Sequence, residues 1–403
     1  APAPAGAPAA APAPAAAPAA AAAPAAPAAP AAPSVLDKVT ADAFVDAYAA
    51  LNFNTPKPQI APAGGNQYRA FDPAQGFSVN WVGVNATYAA DPIGGTVGLR
   101  MGPGAALYNG GTETLAGMEF VKQAYATWKP ADKLTLDFGK WDEPFGSEVA
   151  DSQLNMNYTR SGLFWFYQPL FFTGLRLDYA VSPMFDAKVF VANGWNQTID
   201  MNAGKTFGAQ VVITPVSQAI FYLGYAGGPE QSDIGGDNAG DGRWRHLVDV
   251  VADINPTSSL RFLANFDYRT ESQPTGTATS SGFGFNLVAK YAVSDAFSVA
   301  LRGEYLHDEQ GDILNAGANP VVPVNMMGMP TGPAAPPLLG KTDFEDGTLT
   351  LMYSVGSHLA FMLDGRYDTA SAANANNGIF TKNIGEPTNG QFTTTLGVIA
   401  STK

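Results

Sequence analysis

The sequence predicts an all-β fold: a transmembrane antiparallel β-barrel of about sixteen strands, with short turns on one rim and long loops on the other. Three observations predict it. From Ala41 onward, apolar and polar residues alternate every second position in segments of about ten residues, the period of a strand whose two faces meet different surroundings. The connections between these segments alternate short and long. No run of about 18 apolar residues follows residue 33, so no helical span is indicated, whereas transmembrane strands are short and only half apolar.

Taken in order, the alternating segments are 42–53, 77–89, 95–102, 118–128, 133–140, 173–180, 185–194, 205–214, 219–226, 244–254, 259–269, 281–291, 297–306, 345–354, 358–368 and 390–401. The clearest are the late ones. In Leu260–Arg269, the residues Leu260, Phe262, Ala264, Phe266 and Tyr268 share one face, and Arg261, Asn265, Asp267 and Arg269 the other. In Leu359–Asp368, Leu359, Phe361, Leu363 and Tyr367 oppose Asp364, Arg366 and Asp368. Segments 77–89 and 118–128 alternate poorly. Short connections such as Lys129-Pro130-Ala131-Asp132, Val181-Ser182-Pro183-Met184 and Asn255-Pro256-Thr257 carry turn chemistry. The long ones are 54–76, 103–117, 141–172, 195–204, 227–243, 270–280, 307–344 and 369–389. The short set is expected on the periplasmic rim and the long set outside the cell. A soluble β-sandwich, the competing reading, has no reason to alternate short with long connections.

Two regions are expected: an Ala/Pro-rich disordered periplasmic arm over 1–40 and the barrel over 41–403. Residues 1–33 are only Ala, Pro and Gly6, with nothing large enough to bury. There is no cysteine, so neither a disulfide framework nor a thiolate metal site arises. A formal charge of −13 argues against a nucleic-acid partner.

In a bilayer the apolar face meets lipid and the polar face lines the lumen. That assignment gives a pore lining of Asp46, Arg100, Asp137, Arg176, Asp178, Asp186, Lys188, Arg245, Asp249, Asp253, Arg261, Asp267, Arg269, Lys290, Arg302, Glu304, Asp364 and Arg366. Sixteen or so strands leave room for water, which would tolerate charges of both signs. Whether they contact solute or pair as Arg–Asp ladders that hold the wall stays open. Aromatics at segment ends are expected to form interface girdles: Trp128, Trp141, Tyr179, Trp195, Tyr225, Trp244, Tyr268, Tyr291, Tyr305 and Tyr367.

Loop 141–172 contains Phe164, Trp165, Phe166 and Tyr167, too apolar to lie exposed. These four are candidates for a constriction formed by a loop folded into the lumen. The alternative is that Leu170–Phe172 begin the next strand and Trp165 joins the interface belt. Loop 307–344 carries the apolar run Val321–Pro330, which would plug the mouth, pack on a neighbour or insert at the bilayer rim. Asp233, Asp237 and Asp241 make loop 227–243 acidic, but Ala239 and Val248 stand where a calcium loop needs ligands. The three histidines, His246, His307 and His358, form no catalytic or metal-binding set, so neither catalytic residues nor a cofactor or metal is expected.

Several stretches carry a resemblance: Val45-Asp46-Ala47-Tyr48 followed by Asn52-Phe53-Asn54, Gln123-Ala124-Tyr125, Phe138-Gly139-Lys140, Asn157-Tyr158-Thr159-Arg160-Ser161, Thr173-Gly174-Leu175-Arg176 and Gly365-Arg366-Tyr367-Asp368. Over roughly 42–401 the chain resembles the bacterial outer-membrane β-barrel porins of the OmpL-like type. The resemblance implies an outer-membrane barrel and suggests a porin; it brings no catalytic residues. One departure is the end of the last strand, which closes on Thr402-Lys403 rather than on a terminal aromatic.

The expected function is passive diffusion of small polar solutes or ions through a charged, water-filled lumen, with a mild cation preference from the acidic loops. The partners expected are outer-membrane lipid, those solutes and, by analogy, a homotrimer. The alternative is a structural anchor whose arm, residues 1–33, contacts the cell wall or a periplasmic partner. Extended, that arm reaches on the order of 100 Å.

Overall fold

The computed structural model describes residues 38–402 except 58–64, 90, 116, 232–241, 273–278, 315–339 and 373–377. The Ala/Pro arm, the acidic residues Asp233, Asp237 and Asp241, and the Val321–Pro330 run therefore lie outside the described residues.

Sixteen antiparallel strands close into a barrel. They are β1 (Val39–Asn52), β2 (Gly76–Tyr88), β3 (Ile93–Met101), β4 (Val121–Ala131), β5 (Leu134–Asp142), β6 (Phe171–Ser182), β7 (Phe185–Ala192), β8 (Thr206–Val216), β9 (Ala219–Pro229), β10 (Trp244–Ile254), β11 (Leu260–Glu271), β12 (Ser280–Ala292), β13 (Phe297–Asp308), β14 (Thr342–Val355), β15 (Leu359–Ala372) and β18 (Gly390–Ser401). A small hairpin, β16 (Phe380–Lys382) with β17 (Glu386–Thr388), lies in the last long loop. Each barrel strand pairs with its sequence neighbour, and β1 closes the ring on β18 from Phe44↔Ser401 to Asn52↔Thr393. Every expected segment corresponds to one strand, including the poorly alternating second and fourth. Closure leaves no unpaired edge, the condition for sheet to exist in hydrocarbon.

The outer wall is apolar. Val45 and Leu51 on β1, Phe266 and Tyr268 on β11, Leu301 on β13, Leu349 and Leu351 on β14 and Leu363 on β15 are all exposed. Their alternate neighbours turn inward and are enclosed, as with Asp267 between Phe266 and Tyr268, or Arg302 beside Leu301. Of the expected girdle, Trp128, Tyr179, Tyr225, Trp244, Tyr268, Tyr291 and Tyr367 are exposed on this wall. Trp141 and Trp195 are not: both are buried in an internal cluster with Phe145, Phe172, Phe190 and Leu247.

One helix was not legible as such. The loop expected over 103–117 holds α1 (Pro103–Leu115). Its two adjacent glycines and small residues weaken any helical pattern. Lys140 anchors it by donating to Asn109 Oδ1 (2.8 Å) and Glu113 Oε2 (2.9 Å).

Candidate functional site

The site is the barrel interior, and its dominant feature is the connection between β5 and β6, residues 143–170. This segment reaches strands on opposite walls, so it must cross the lumen. On the β10–β11 side, Gly146 N donates to Asp249 Oδ2 (3.1 Å), and Gln168 Nε2 donates to Asn265 Oδ1 (3.0 Å) and Asp267 Oδ2 (2.8 Å). On β3, Arg100 clamps Asp151 through Nε (3.0 Å) and Nη2 (2.8 Å). On β1, Asp46 accepts from Tyr158 OH (2.8 Å) and from Ser152 Oγ. On β15, Asp364 Oδ2 accepts from both Thr159 N and Thr159 Oγ1 at 2.8 Å.

On β13 the loop meets both signs of charge. Arg302 pairs with Glu148 of the loop (3.0 Å) and with Asp346 of β14 (2.8 Å). Glu304 receives the first backbone donors of a single turn, Gly162 N (2.7 Å) and Leu163 N (3.0 Å). Arg366 extends the network, pairing with Asp346 (2.9 Å) and Asp368 (2.5 Å) and donating to Arg160 O (2.6 Å). Enclosed charges persist only when each has a partner, and here wall and loop supply each other's. Burial alone would raise the Asp151 carboxyl, but Lys122 and Arg100 outweigh it and hold it below the usual carboxylate range.

The four constriction candidates occupy the turn Leu163–Tyr167. The loop carries them inside the barrel, but their rings face protein rather than an open passage. Phe166 and Tyr167 pack with Tyr68, Leu306, Phe344 and Phe380. Phe164 packs with Phe44, Phe71, Trp81 and Tyr108, and the half-buried Trp165 bridges both clusters. They act as hydrophobic anchors for the loop. The next strand does begin at Phe171, as the alternative had it, but Trp165 is not at the interface.

A second ingrowth, residues 65–72, was not foreseen. Arg69 pairs with its own Asp72 (2.6 Å) and with Asp368 of β15 (3.3 Å), and donates to Thr393 Oγ1 of β18 (2.8 Å). Tilted aromatic contacts tie the two ingrowths together, with Phe71 and Phe164 centroids 6.5 Å apart and Arg160 lying 4.9 Å over the Phe71 ring. No periodic signal marks residues in a loop, so Arg69, Asp72, Glu148, Asp151 and Arg160 were missed. Asp346 was also missed, although it continues the inward parity of its strand, and Asp368, placed on the polar face with Arg366, was left out of the lining set.

The eighteen residues expected to line the lumen divide into two groups by their exposure. Asp46, Arg100, Asp249, Asp267, Arg302, Glu304, Asp364 and Arg366 are enclosed by the ingrown loops, and Arg269 with them through Phe166 O (2.6 Å). The other group lies on β5 to β12. Asp137 pairs with Arg176 (2.7 Å), and Lys188 stands between Asp178 (3.2 Å) and Asp186 (2.9 Å). Arg245 pairs with Glu271 (2.8 Å), Arg261 with Asp253 (2.7 Å), and Lys290 is half-buried. Arg176, Asp178, Asp186, Lys188, Arg245 and Arg261 keep partial or full solvent contact. A separate cavity of about 490 Å³ opens below the loop at the rim of short turns, bordered by Asp42, Asn85, Asp151, Gln153, Ser354 and Ser401.

Just beyond β9, Glu230 accepts from Trp195 N (2.7 Å) and Thr206 Oγ1 (2.5 Å) and so holds the 193–205 connection inward. Burial pushes its carboxyl up to about 7, against the opposing pull of Arg245 and these two donors.

A closed sixteen-stranded ring with an apolar exterior, a charged interior and a loop folded through it defines a membrane channel of the porin class. The family model described as "Putative beta-barrel porin-2, OmpL-like" matches residues 38–401, and the chain belongs to that family. It is a porin of the bacterial outer membrane. Solved structures share the fold at low identity. The outer-membrane channel DcaP of Acinetobacter baumannii has a TM-score of 0.55 at 11% identity, with 90% of this chain and 96% of that one covered. An anion-selective porin from Comamonas acidovorans gives 0.55 at 11%, covering 90% and 99%. The trimer form of OmpT from Vibrio cholerae gives 0.55 at 12%, covering 90% and 98%. No curated protein matches the sequence.

Proposed function

We propose that small polar solutes and ions cross this porin along the inner face of β5 to β12, beside the ingrown loops rather than through the centre of the ring. The observation that carries this reading is the graded exposure of the inward charges. Those on β1, β13 and β15 are enclosed and bound to the loop through hydrogen bonds and the Arg302–Glu148 ion pair, while Arg176, Asp178, Asp186, Lys188 and Arg261 keep contact with solvent. Charges of both signs along one wall orient polar solutes and disfavour apolar ones. The net −13 charge favours a mild cation preference, read as a reversal potential in a salt gradient; an anion preference contradicts it.

The absence of native cysteine makes the route testable. Lys188→Cys and Thr350→Cys are each treated with a charged, thiol-reactive methanethiosulfonate while single-channel current is recorded. Modification at 188 is expected to change the current, and none is expected at 350, where the side chain is enclosed and bonded to Asp364. The reverse pattern overturns the route. The assembly we propose is a trimer, as in the OmpT form named above; the mass of the detergent-solubilised particle checks it.

A further inference from the structure

Around the inner wall near the short turns, cations are matched one after another. Arg176 has Asp137, Lys188 has Asp178 and Asp186, and Arg261 has Asp253. The sequence of matched pairs ends at Lys290 on β12. Its cross-strand partner on β11 is Arg261, another cation, and its partner on β13 is Ala300. Among the described residues Lys290 makes no ion pair or hydrogen bond. Like charges directly opposite each other on a sheet are destabilising, so this placement calls for an anion between them.

The donors available suit an oxyanion. Arg261 gives Nε and Nη2 to the two oxygens of Asp253 (2.9 and 2.7 Å), and Asp253 Oδ1 also accepts from Asn255 (3.1 Å). That carboxylate is thus fully engaged, while Nη1 of Arg261 has no partner among the described residues. Arg261 remains accessible within the pair, with 45% of its side chain exposed. Lys290 adds three rotatable donors beside it. The Asp253, Arg261 and Lys290 set therefore carries one surplus positive charge.

We propose that Lys290 and Nη1 of Arg261 form a subsite, near the periplasmic mouth, for the oxyanion of a passing solute: a carboxylate or a phosphate. The inference rests on the reading of the lumen as a solute path, which it deepens by naming one class of solute. It is compatible with a mild overall cation preference, because one local site differs from the charge of the whole mouth.

The test has two readouts. Binding of inorganic phosphate, and separately of malonate, to the detergent-solubilised full chain is measured by equilibrium dialysis for the wild type, K290Q, R261Q and K290R. Each neutral variant is expected to weaken binding about tenfold, the equivalent of one lost charge-assisted hydrogen bond, and K290R to retain it. Phosphate and malonate bound alike mark a general oxyanion site; a preference for one assigns the source. Equal binding by K290Q and the wild type, or no binding at all, overturns the subsite. Single-channel recording then separates the two readings. Added phosphate should reduce wild-type current in a concentration-dependent way and K290Q current far less, and K290Q should shift the reversal potential further toward cations. Binding lost in K290Q without any channel current in the wild type would sink the diffusion path and leave the subsite standing.

Discussion

Glu230 couples stability to pH through a single carboxyl. Its folded-state value of about 7 lies above the ordinary glutamate value of roughly 4.3, because the folded chain encloses it between Trp195 and Thr206. The folded state therefore holds this proton more tightly than the unfolded one. As pH rises from about 4.5 through 7 the folded state loses stability, and by pH 8 the loss reaches roughly 3 kcal/mol. Glu230→Gln should flatten that slope, read as the apparent unfolding temperature in detergent at pH 5 and pH 8. An unchanged slope in the variant contradicts the assignment. At this scale the sequence was most legible where a residue sits well inside a strand. Parity alone picked out residues such as Asp46, Asp249, Asp267, Arg302 and Asp364, which the structure encloses. It failed just past strand ends. Trp195 follows β7, and the loop carries it under Arg245, whose guanidinium lies 4.8 Å from its ring. Trp141, within β5, shares the parity of Asp137 and turns inward as the alternation requires; its place at a segment end masked that signal.

Among the elements, the inward loop depends on the wall for its place, and Arg302 is its most connected support. The guanidinium serves Glu148, Asp346 and Thr348 at once. Arg302→Met leaves the enclosed Glu148 without a cation and Asp346 with Arg366 alone, a loss of about 3–5 kcal/mol, and should free the loop from β13. The expected result is a lower unfolding temperature together with larger and noisier single-channel conductance; stable, unaltered conductance argues against a gripping role. Deleting residues 160–167 should likewise raise conductance, since that segment carries the turn packed in both aromatic clusters. Most of the sixteen strands were legible because a two-faced ribbon leaves a period of two; the second and fourth, which alternate poorly, were placed by the connections around them. The aromatic run flagged the loop as buried. Its destination and partners were not legible, nor were the 65–72 ingrowth and α1, because contacts such as Arg69 to Asp368 join residues far apart in sequence without periodicity.

For the molecule as a whole, the inside-out arrangement makes a directional prediction. Leu301 faces lipid near the middle of β13 and is 60% exposed. Leu301→Lys should lower stability in bilayers by about 2–4 kcal/mol, the range for a lysine at the midplane of an outer-membrane barrel. Lys290→Gln, on the wet side and with no ion pair to lose, should change it little. Refolding yield into lipid vesicles under graded urea checks both, and equal tolerance of the two would contradict the facing. The seam where the ring closes has a further consequence. Tyr158 of the inward loop bonds Asp46 on β1 and lies against Gly397 on β18, the strand that β1 must meet. A residue with any side chain at 397 would collide with that ring. The closing seam and the inward loop thus share one tight point, where the bare backbone of β18 makes room for a ring that β1 holds by its hydroxyl.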